Sequence, residues 1–240
     1  MLDLSQVQVV YEDNHLIAVN KPAGFLVQGD KTGDTPLVEY VKAYVKVRYK
    51  KPGDVFLGVI HRLDRPVSGT VIYARTSKGL SRMTALFRER KVEKNYWAIT
   101  KQRPKPIAGK LEHYLLKDKE KNLAKAYSKR GNRTKDAKHS LLTYELISAI
   151  EAHYLLHVKP ETGRPHQIRV QLATNGTPII GDVKYGFPNS NDDGSILLHC
   201  RSMSFIHPIK QKPITIESDP PDKFMSVSYT HLTLPTKRIV

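Results

Sequence analysis

The chain begins with two short runs rich in apolar and β-branched residues, a composition typical of strands. In "VQVVYEDNHLIAVNKPAG" the runs flank a turn at residues 12–14, and the second run stops at residues 22–24, "PAG". Acidic residues, Asn, Pro and Gly are typical of turns and strand ends. We therefore predict a β-hairpin at the start of the chain.

Three later segments predict helices. In "TPLVEYVKAYVKVRY", residues 35–49, and "SKGLSRMTALFRER", residues 77–90, apolar side chains recur at helical spacing. Each of these two helices is expected to bury one face in a core. A third helix is predicted in "RPHQIRVQLATNG", residues 164–176, with Pro165 near its start and Gly176 as its C-cap.

Further strands are predicted in "KNYWAIT", "HSLLTYELISAI" and "AHYLLHVKP". Alternation along the first of them puts Tyr96 and Ala98 on one face. Residues 101–138 are basic and interrupted by Pro and Gly, so we expect long surface loops around short strands. Because strands outnumber helices and short turns connect them, we predict an α+β fold with a largely antiparallel mixed sheet and flanking helices.

The charge balance indicates a polyanionic partner. The chain has 39 Lys and Arg residues against 23 Asp and Glu, a formal charge of +16. It shows no long apolar span and no basic amphipathic helix with a clean hydrophobic face, so nucleic acid is favoured over a membrane. A single cysteine, Cys200, excludes an internal disulfide, and the start lacks the features of a secretory signal. We therefore expect a cytoplasmic protein.

One carboxylate lies in a polar break between two apolar runs. In "GVIHRLDRPVSGTVIYA", residues 58–74, Asp64 lies in a turn that Pro66, Ser68 and Gly69 shape. Turns between rigid strands often hold functional side chains. Two interpretations are open: Asp64 caps its own turn while Arg62 and Arg65 are solvated, or it is a functional carboxylate.

A second polar cluster begins the third predicted helix. Arg164, His166, Gln167 and Arg169 follow one another in "TGRPHQIR", where free backbone N–H groups of the helix also favour anions. A basic helix start and a carboxylate are suitable partners, so we expect this cluster to face Asp64. A charged residue beside a core face, such as Arg169, either extends to solvent or pairs with a buried acid.

Four motifs in order resemble the RluA-type RNA pseudouridine synthases. They are "NKPAG" (residues 20–24), "HRLDRPVSG" (61–69), "TGRPHQIR" with "GTPIIGDVKYG" (162–186) and "LHCRSMSFIHP" (198–208). The departures from the family pattern are Val67 for Thr, Gln171 for His and Cys200 for Ala.

The resemblance implies the pseudouridine synthase fold with a central catalytic cleft. It leads us to expect one catalytic domain over residues 1–226, without an S4-type RNA-binding domain. Residues 227–240 resemble a translated sequencing adapter and are expected to be a non-native tail; the alternative is a native, disordered tail.

The resemblance also implies an activity without cofactor or metal: the C1′–N1 bond of a uridine in RNA breaks, the base turns, and C5 is joined to C1′. It makes Asp64 the catalytic carboxylate, as a nucleophile or in glycal formation. Tyr96 would stack on the target uracil, Arg169 would pair with Asp64, and Arg62 would occupy the space that the extruded base leaves. The residues expected to contact RNA are Arg62, Arg65, Arg164, His166, Gln167 and Lys21.

The expected substrate is a stem-loop of ribosomal or transfer RNA, and the expected active form is a monomer. Two alternatives stay open. A non-catalytic RNA-binding or ribosome-assembly module would use the same cleft without changing uridine. A glycoside hydrolase would need a second carboxylate near Asp64, and the other signature acid, Asp182, lies in a turn that looks structural.

Overall fold

The computed structural model of the protein describes residues 2–118 and 120–224. The expected tail, residues 227–240, and the expected domain boundary at residue 226 lie outside these residues. In the part of the chain that is described, no helix has the length and apolar content needed to cross a membrane.

The described residues form eleven strands and three α-helices. The helices are α1 (Leu37–Arg48), α2 (Ser77–Arg88) and α3 (Gln167–Thr174). The strands are β1 (Gln8–Glu12), β2 (Leu16–Lys21), β3 (Gly58–Val59), β4 (Ser68–Ala74), β5 (Glu93–Thr100), β6 (Ala108–Asp118), β7 (Leu123–Tyr127), β8 (Lys138–Ile150), β9 (His153–Pro160), β10 (Leu198–Ile206) and β11 (Pro213–Glu217).

All eleven strands belong to one sheet. Its order is β1-β2-β4-β10-β5-β9-β8-β6-β7, with β11 paired to β10 and β3 paired to β4. Strands β4 and β10 are parallel, and the other pairs are antiparallel. The predicted α+β class with a largely antiparallel mixed sheet is confirmed.

The predicted hairpin forms from β1 and β2. Its turn is held by Asp13, whose side chain accepts hydrogen bonds from the backbone N–H groups of His15 and Leu16, both at 2.8 Å. Strand β2 and the neighbouring β4 are almost entirely buried. They form the centre of a core that helices α1 and α2 cover with their apolar faces.

Residues 101–138 differ from the expectation of long loops around short strands. Strand β6 is 11 residues long, and it pairs with β8 from Ala108 to Leu115 and with β7 from Tyr114 to Asp118. Only Leu111 and Leu115 of β6 are buried, between exposed residues such as Lys110 and Lys117. An antiparallel sheet with one solvated face gives this weak alternating signal, which the high charge of the segment hid.

Two glycines let the backbone take shapes that the site requires. Gly69 has φ +115°, and a Cβ there would collide with the backbone of Cys200, so only glycine allows β4 to approach β10 directly after the Asp64 turn. Helix α3 ends at Thr174: Asn175 is its C-cap, and the predicted cap, Gly176, follows with φ +77°.

Candidate active site

The turn between β3 and β4 carries Asp64 and is held in place by the side chain of His61. The Nε2 atom of His61 accepts the backbone N–H of Ile72 at 3.0 Å, and its ring stacks on Phe87 with a centroid distance of 4.9 Å. Burial lowers the pKa of His61 to about 3. His61 is therefore neutral, and it organises the turn.

Helix α3 brings Arg169 against Asp64, as the sequence predicted. Nη1 of Arg169 donates to Oδ2 of Asp64 at 3.0 Å, and the arginine side chain is 6% exposed while that of Asp64 is 30% exposed. Burial acts to lower the pKa of Arg169, but the carboxylates of Asp182 and Asp64 together raise it above its ordinary value. The guanidinium is thus a fixed positive charge beside a partly accessible carboxylate.

The same guanidinium is held on its other edge by Asp182. Nε and Nη2 of Arg169 donate to the two carboxylate oxygens of Asp182 at 2.7 and 2.8 Å, and the side chain of Asp182 is 1% exposed. This bidentate contact leaves Nη1 for Asp64. With both oxygens engaged and no access to solvent, Asp182 cannot be the second acid of a glycoside hydrolase.

Two further side chains, Tyr185 and His166, complete the wall around this ion pair. The hydroxyl of Tyr185 accepts the backbone N–H of Ala124 at 2.9 Å and lies 2.7 Å from Nδ1 of His166. The guanidinium of Arg169 lies over the Tyr185 ring, 5.1 Å from its centroid. Tyr185 lies within "GDVKYG", and no role was predicted for it because its contacts with distant residues leave no local pattern in the sequence.

His166 lies between Tyr185 and Asp64. The Tyr185 oxygen accepts from Ala124, and its O–H is able to donate to Nδ1 of His166. The other ring nitrogen, Nε2, faces Oδ2 of Asp64 at 4.0 Å. Burial lowers the pKa of His166. The negative charge of Asp64 acts to raise this pKa, and nearby cations that include Arg169 act to lower it. His166 is therefore directed at Asp64 and Tyr185.

Tyr96 projects from β5 in the register that pairs it with Cys200 of β10. It is half-buried. Burial raises the pKa of Tyr96 well above 10, with further contributions from Cys200 and from the negative charge of Asp64. Tyr96 therefore keeps its phenolic hydrogen at neutral pH and lies within electrostatic reach of Asp64.

Two of the predicted RNA contacts lie at the surface beside Asp64. Arg62 is exposed, and no ion pair holds it within the described residues. Arg65 is also exposed, but it is ordered by Asp34 through Nη1 at 2.7 Å and by the carbonyl of Gly24 through Nε at 3.0 Å. Both guanidinium groups remain accessible from the solvent.

Lys21 is placed differently from the prediction. Its side chain is fully buried, and Nζ donates to the carbonyls of Pro22, Phe25 and Arg65 at 2.9, 2.8 and 3.1 Å. Burial lowers the pKa of Lys21 to about 7. An ammonium group without solvent access cannot touch a phosphate, so Lys21 instead joins the loop after β2 to the Asp64 turn.

Gln167 is also misassigned as a direct RNA contact. It is 4% exposed, and its side-chain oxygen accepts from the Thr162 hydroxyl at 2.7 Å and from the backbone N–H of Arg164 at 3.0 Å. Its amide therefore fixes the start of α3. Arg164 is half-buried, with Nε donating to the carbonyl of His139 at 3.0 Å.

A cationic rim adjoins the site on the side of the β6–β7 hairpin. Lys117 of this hairpin and Lys184 both act electrostatically on His166. Both are exposed, as are Lys121 and Lys125. Nζ of Lys184 donates to the carbonyl of Asn122 at 3.0 Å, which joins the turn of Asp182 and Tyr185 to the hairpin tip.

Comparison with known proteins shows the family to which the chain belongs. A family model described as RNA pseudouridylate synthase matches residues 15–174, more than half of the 240-residue chain. The chain therefore belongs to the RNA pseudouridylate synthase family. The matched range includes Asp64, Tyr96 and Arg169.

Curated relatives and a solved structure extend the comparison. The tRNA pseudouridine synthase C of Vibrio parahaemolyticus is 29% identical over 92% of this chain and 94% of its own length. The ribosomal large subunit pseudouridine synthase C of Buchnera aphidicola is 32% identical over 88% of this chain and 66% of its own length. Human RNA pseudouridylate synthase domain containing 4 shares the fold, with a TM-score of 0.76, 24% identity, and coverage of 91% of this chain and 90% of that one.

These findings confirm the predicted RluA-type family, the pseudouridine synthase fold and the class of activity. The protein is an isomerase that acts on RNA. A non-catalytic RNA-binding module is not favoured, because the named relatives are synthases.

Proposed function

We propose that Asp64 is the essential catalytic carboxylate with which the protein converts uridine to pseudouridine. The observation that carries this proposal is the ion pair between Asp64 and the buried Arg169, with 3.0 Å between Oδ2 and Nη1. A fixed positive charge at this distance pairs with the carboxylate and orients it, and both the nucleophilic and the glycal route depend on this carboxylate.

Tyr96 and Arg62 have the proposed roles of holding the target base and filling its place in the RNA. A uracil inside a helix hides its C1′ and C6 atoms, so the nucleotide must be extruded to reach Asp64. The half-buried ring of Tyr96 offers an apolar face on which the extruded base stacks. Arg62 is exposed next to Asp64 and is long enough to enter the vacated position.

The proton balance of the reaction needs a donor and an acceptor near the uracil. The hydrogen on C5 is lost when C5 bonds to C1′, and N1 gains a hydrogen after its bond to C1′ breaks. Tyr96 keeps its phenolic hydrogen because burial raises its pKa. We propose that Tyr96 relays the C5 hydrogen: its oxygen accepts this proton while its own phenolic hydrogen passes to water, water supplies the hydrogen that N1 gains, and Asp64 acts at the ribose.

The proposed RNA is a stem-loop of transfer or ribosomal RNA. The relatives named above act on one or the other according to their names. Exposed Lys117, Lys121, Lys125 and Lys184 are suited to neutralise phosphates beside the cleft. Asp64, Tyr96, Arg169 and their partners come from one chain, which supports a monomer as the active form. A substrate of this kind also supports a cytoplasmic location.

The test uses unmodified transfer and ribosomal RNA transcripts that carry tritium at uracil C5. Formation of the C5–C1′ bond releases this tritium to water. Release from one class of transcript alone would identify the substrate class. No release from any transcript that the protein binds would contradict the proposal for free RNA.

A further inference from the structure

An open depression lies beside the catalytic turn and has no role in the reaction described above. Its volume is about 400 Å³. Its walls come from the loop between β2 and α1, from the first turn of α1, and from Arg65. Because Arg65 follows Asp64 in the chain, their Cα atoms are about 3.8 Å apart. The depression therefore adjoins the turn that carries Asp64.

One wall of the depression is aromatic. Phe25 and Tyr40 pack edge to face, with ring centroids 5.4 Å apart and an angle of 81° between their planes, and both rings line the depression. Both are half-buried, so each keeps some surface for a ligand. Nucleobases that are not stacked in a helix bind to such rings.

The opposite wall is an ion pair with spare hydrogen-bonding capacity. Oδ2 of Asp34 accepts from Nη1 of Arg65 at 2.7 Å and from the Thr32 hydroxyl at 3.2 Å. Among the described residues, Oδ1 of Asp34 has no hydrogen-bond partner. The side chain of Asp34 is 52% exposed, so this oxygen can accept hydrogen bonds from a ligand. A carboxylate oxygen selects ligands that present N–H donors.

The depression is held in shape before any ligand arrives. The buried ammonium of Lys21 donates to carbonyls of Pro22, Phe25 and Arg65. The backbone N–H of Gly24 donates to the carbonyl of Arg65 at 2.8 Å, and Nε of Arg65 donates to the carbonyl of Gly24 at 3.0 Å. These bonds tie both walls to the Asp64 turn, which reduces the ordering cost of binding.

We propose that this depression is a second nucleotide site, which takes an unpaired adenine, cytosine or guanine base next to the target uridine. These three bases offer Oδ1 of Asp34 an exocyclic amino group with two N–H donors, whereas uracil has only the single ring N–H at N3. The base stacks on Phe25 and Tyr40, and Arg65 faces its phosphate. The site rests on the proposed function in one respect only: its ligand belongs to the same RNA as the uridine at Asp64.

The test removes single amino groups from the RNA and the carboxylate from the protein. A stem-loop transcript that the wild-type protein binds is made with purine riboside for adenosine, inosine for guanosine or zebularine for cytidine at each unpaired position near the target. Dissociation constants and kcat/KM are measured for the wild type and for Asp34→Ala. Asp54→Ala is the matched control, because Asp54 is an exposed acid in the loop between α1 and β3.

At one position, loss of the amino group is expected to weaken wild-type binding about tenfold, as for a hydrogen bond to a charged acceptor. Asp34→Ala weakens binding of the parent RNA by a similar factor and no longer distinguishes the two RNAs, whereas Asp54→Ala behaves as the wild type. The proposal is overturned if no position is sensitive in the wild type, or if Asp34→Ala retains the sensitivity. A purely structural defect would retain it. Because binding is measured without turnover, failure to convert uridine would refute the proposed function and not this site.

Discussion

Asp182→Asn tests whether the buried carboxylate holds Arg169 in the orientation that reaches Asp64. The native pair consists of two charge-assisted hydrogen bonds at 2.7 and 2.8 Å, with Asp182 1% exposed. Asparagine has the same shape, but it can accept only one of the two N–H groups and turns a donor towards the other. Each bond to a charged group contributes about 1.5–3 kcal/mol, and breaking a buried pair costs about 3–5 kcal/mol. Since one acceptor remains, we expect the free energy of unfolding to fall by about 2–4 kcal/mol.

The same change should slow the reaction without weakening RNA binding. A guanidinium that is free to rotate shifts the Asp64 carboxylate, and misplacement of a reacting group by about 1 Å costs on the order of a hundredfold in rate. Urea unfolding measures the stability, and single-turnover tritium release measures the rate at saturating RNA. Glu39→Gln, which removes an exposed ion pair with Lys42 on α1, is the control and should cost less than about 1 kcal/mol. A stability loss below about 1 kcal/mol in Asp182→Asn, together with an unchanged rate, would refute the reasoning.

Three further outcomes follow from the site. Burial lowers the pKa of Lys21 to about 7 from 10.5, so between these pH values the unfolded chain binds more protons than the folded one, and the free energy of unfolding of the wild type rises with pH. Lys21→Met should lack this rise. Urea unfolding of both proteins at several pH values between about 7 and 10.5 measures the difference. Tyr185→Phe removes the hydroxyl that bonds to His166 and Ala124 and should lower the free energy of unfolding by about 1–3 kcal/mol. Tyr127→Phe is the control and should leave it unchanged, because the Tyr127 hydroxyl makes no hydrogen bond within the described residues. Lys117→Ala should reduce the slope of log affinity for RNA against log salt by about 1, and an unchanged slope would exclude Lys117 from phosphate contact.

Local patterns predicted the elements of this fold whose apolar faces are clear. Helices α1 and α2 and the first hairpin follow from spacing and turn residues, because their buried faces lie in one core. The β6–β7 hairpin was not predicted as long strands, because only Leu111 and Leu115 of β6 are buried. Strand β6 extends over this length because it pairs with β8, a contact that the composition of β6 alone does not indicate.

The same contrast holds at the site. The pairing of Asp64 with Arg169 was expected from the resemblance to the RluA-type family, because the residues alone left open whether Arg169 extends to solvent or pairs with a buried acid. The positions of Lys21 and Gln167 were not, because a motif does not distinguish a residue that lines a cleft from one that supports its wall. Only the burial of these two side chains and their bonds to backbone carbonyls assign them the supporting role.

The central claim is that Asp64 performs the chemistry, and one comparison tests it most directly. Wild-type protein and Asp64→Asn are incubated with the same RNA at concentrations where filter binding shows both to be saturated, and the digested RNA is analysed for pseudouridine by chromatography of its nucleosides. The account predicts pseudouridine from the wild type and none from Asp64→Asn at equal RNA binding. Pseudouridine formed by Asp64→Asn would contradict it.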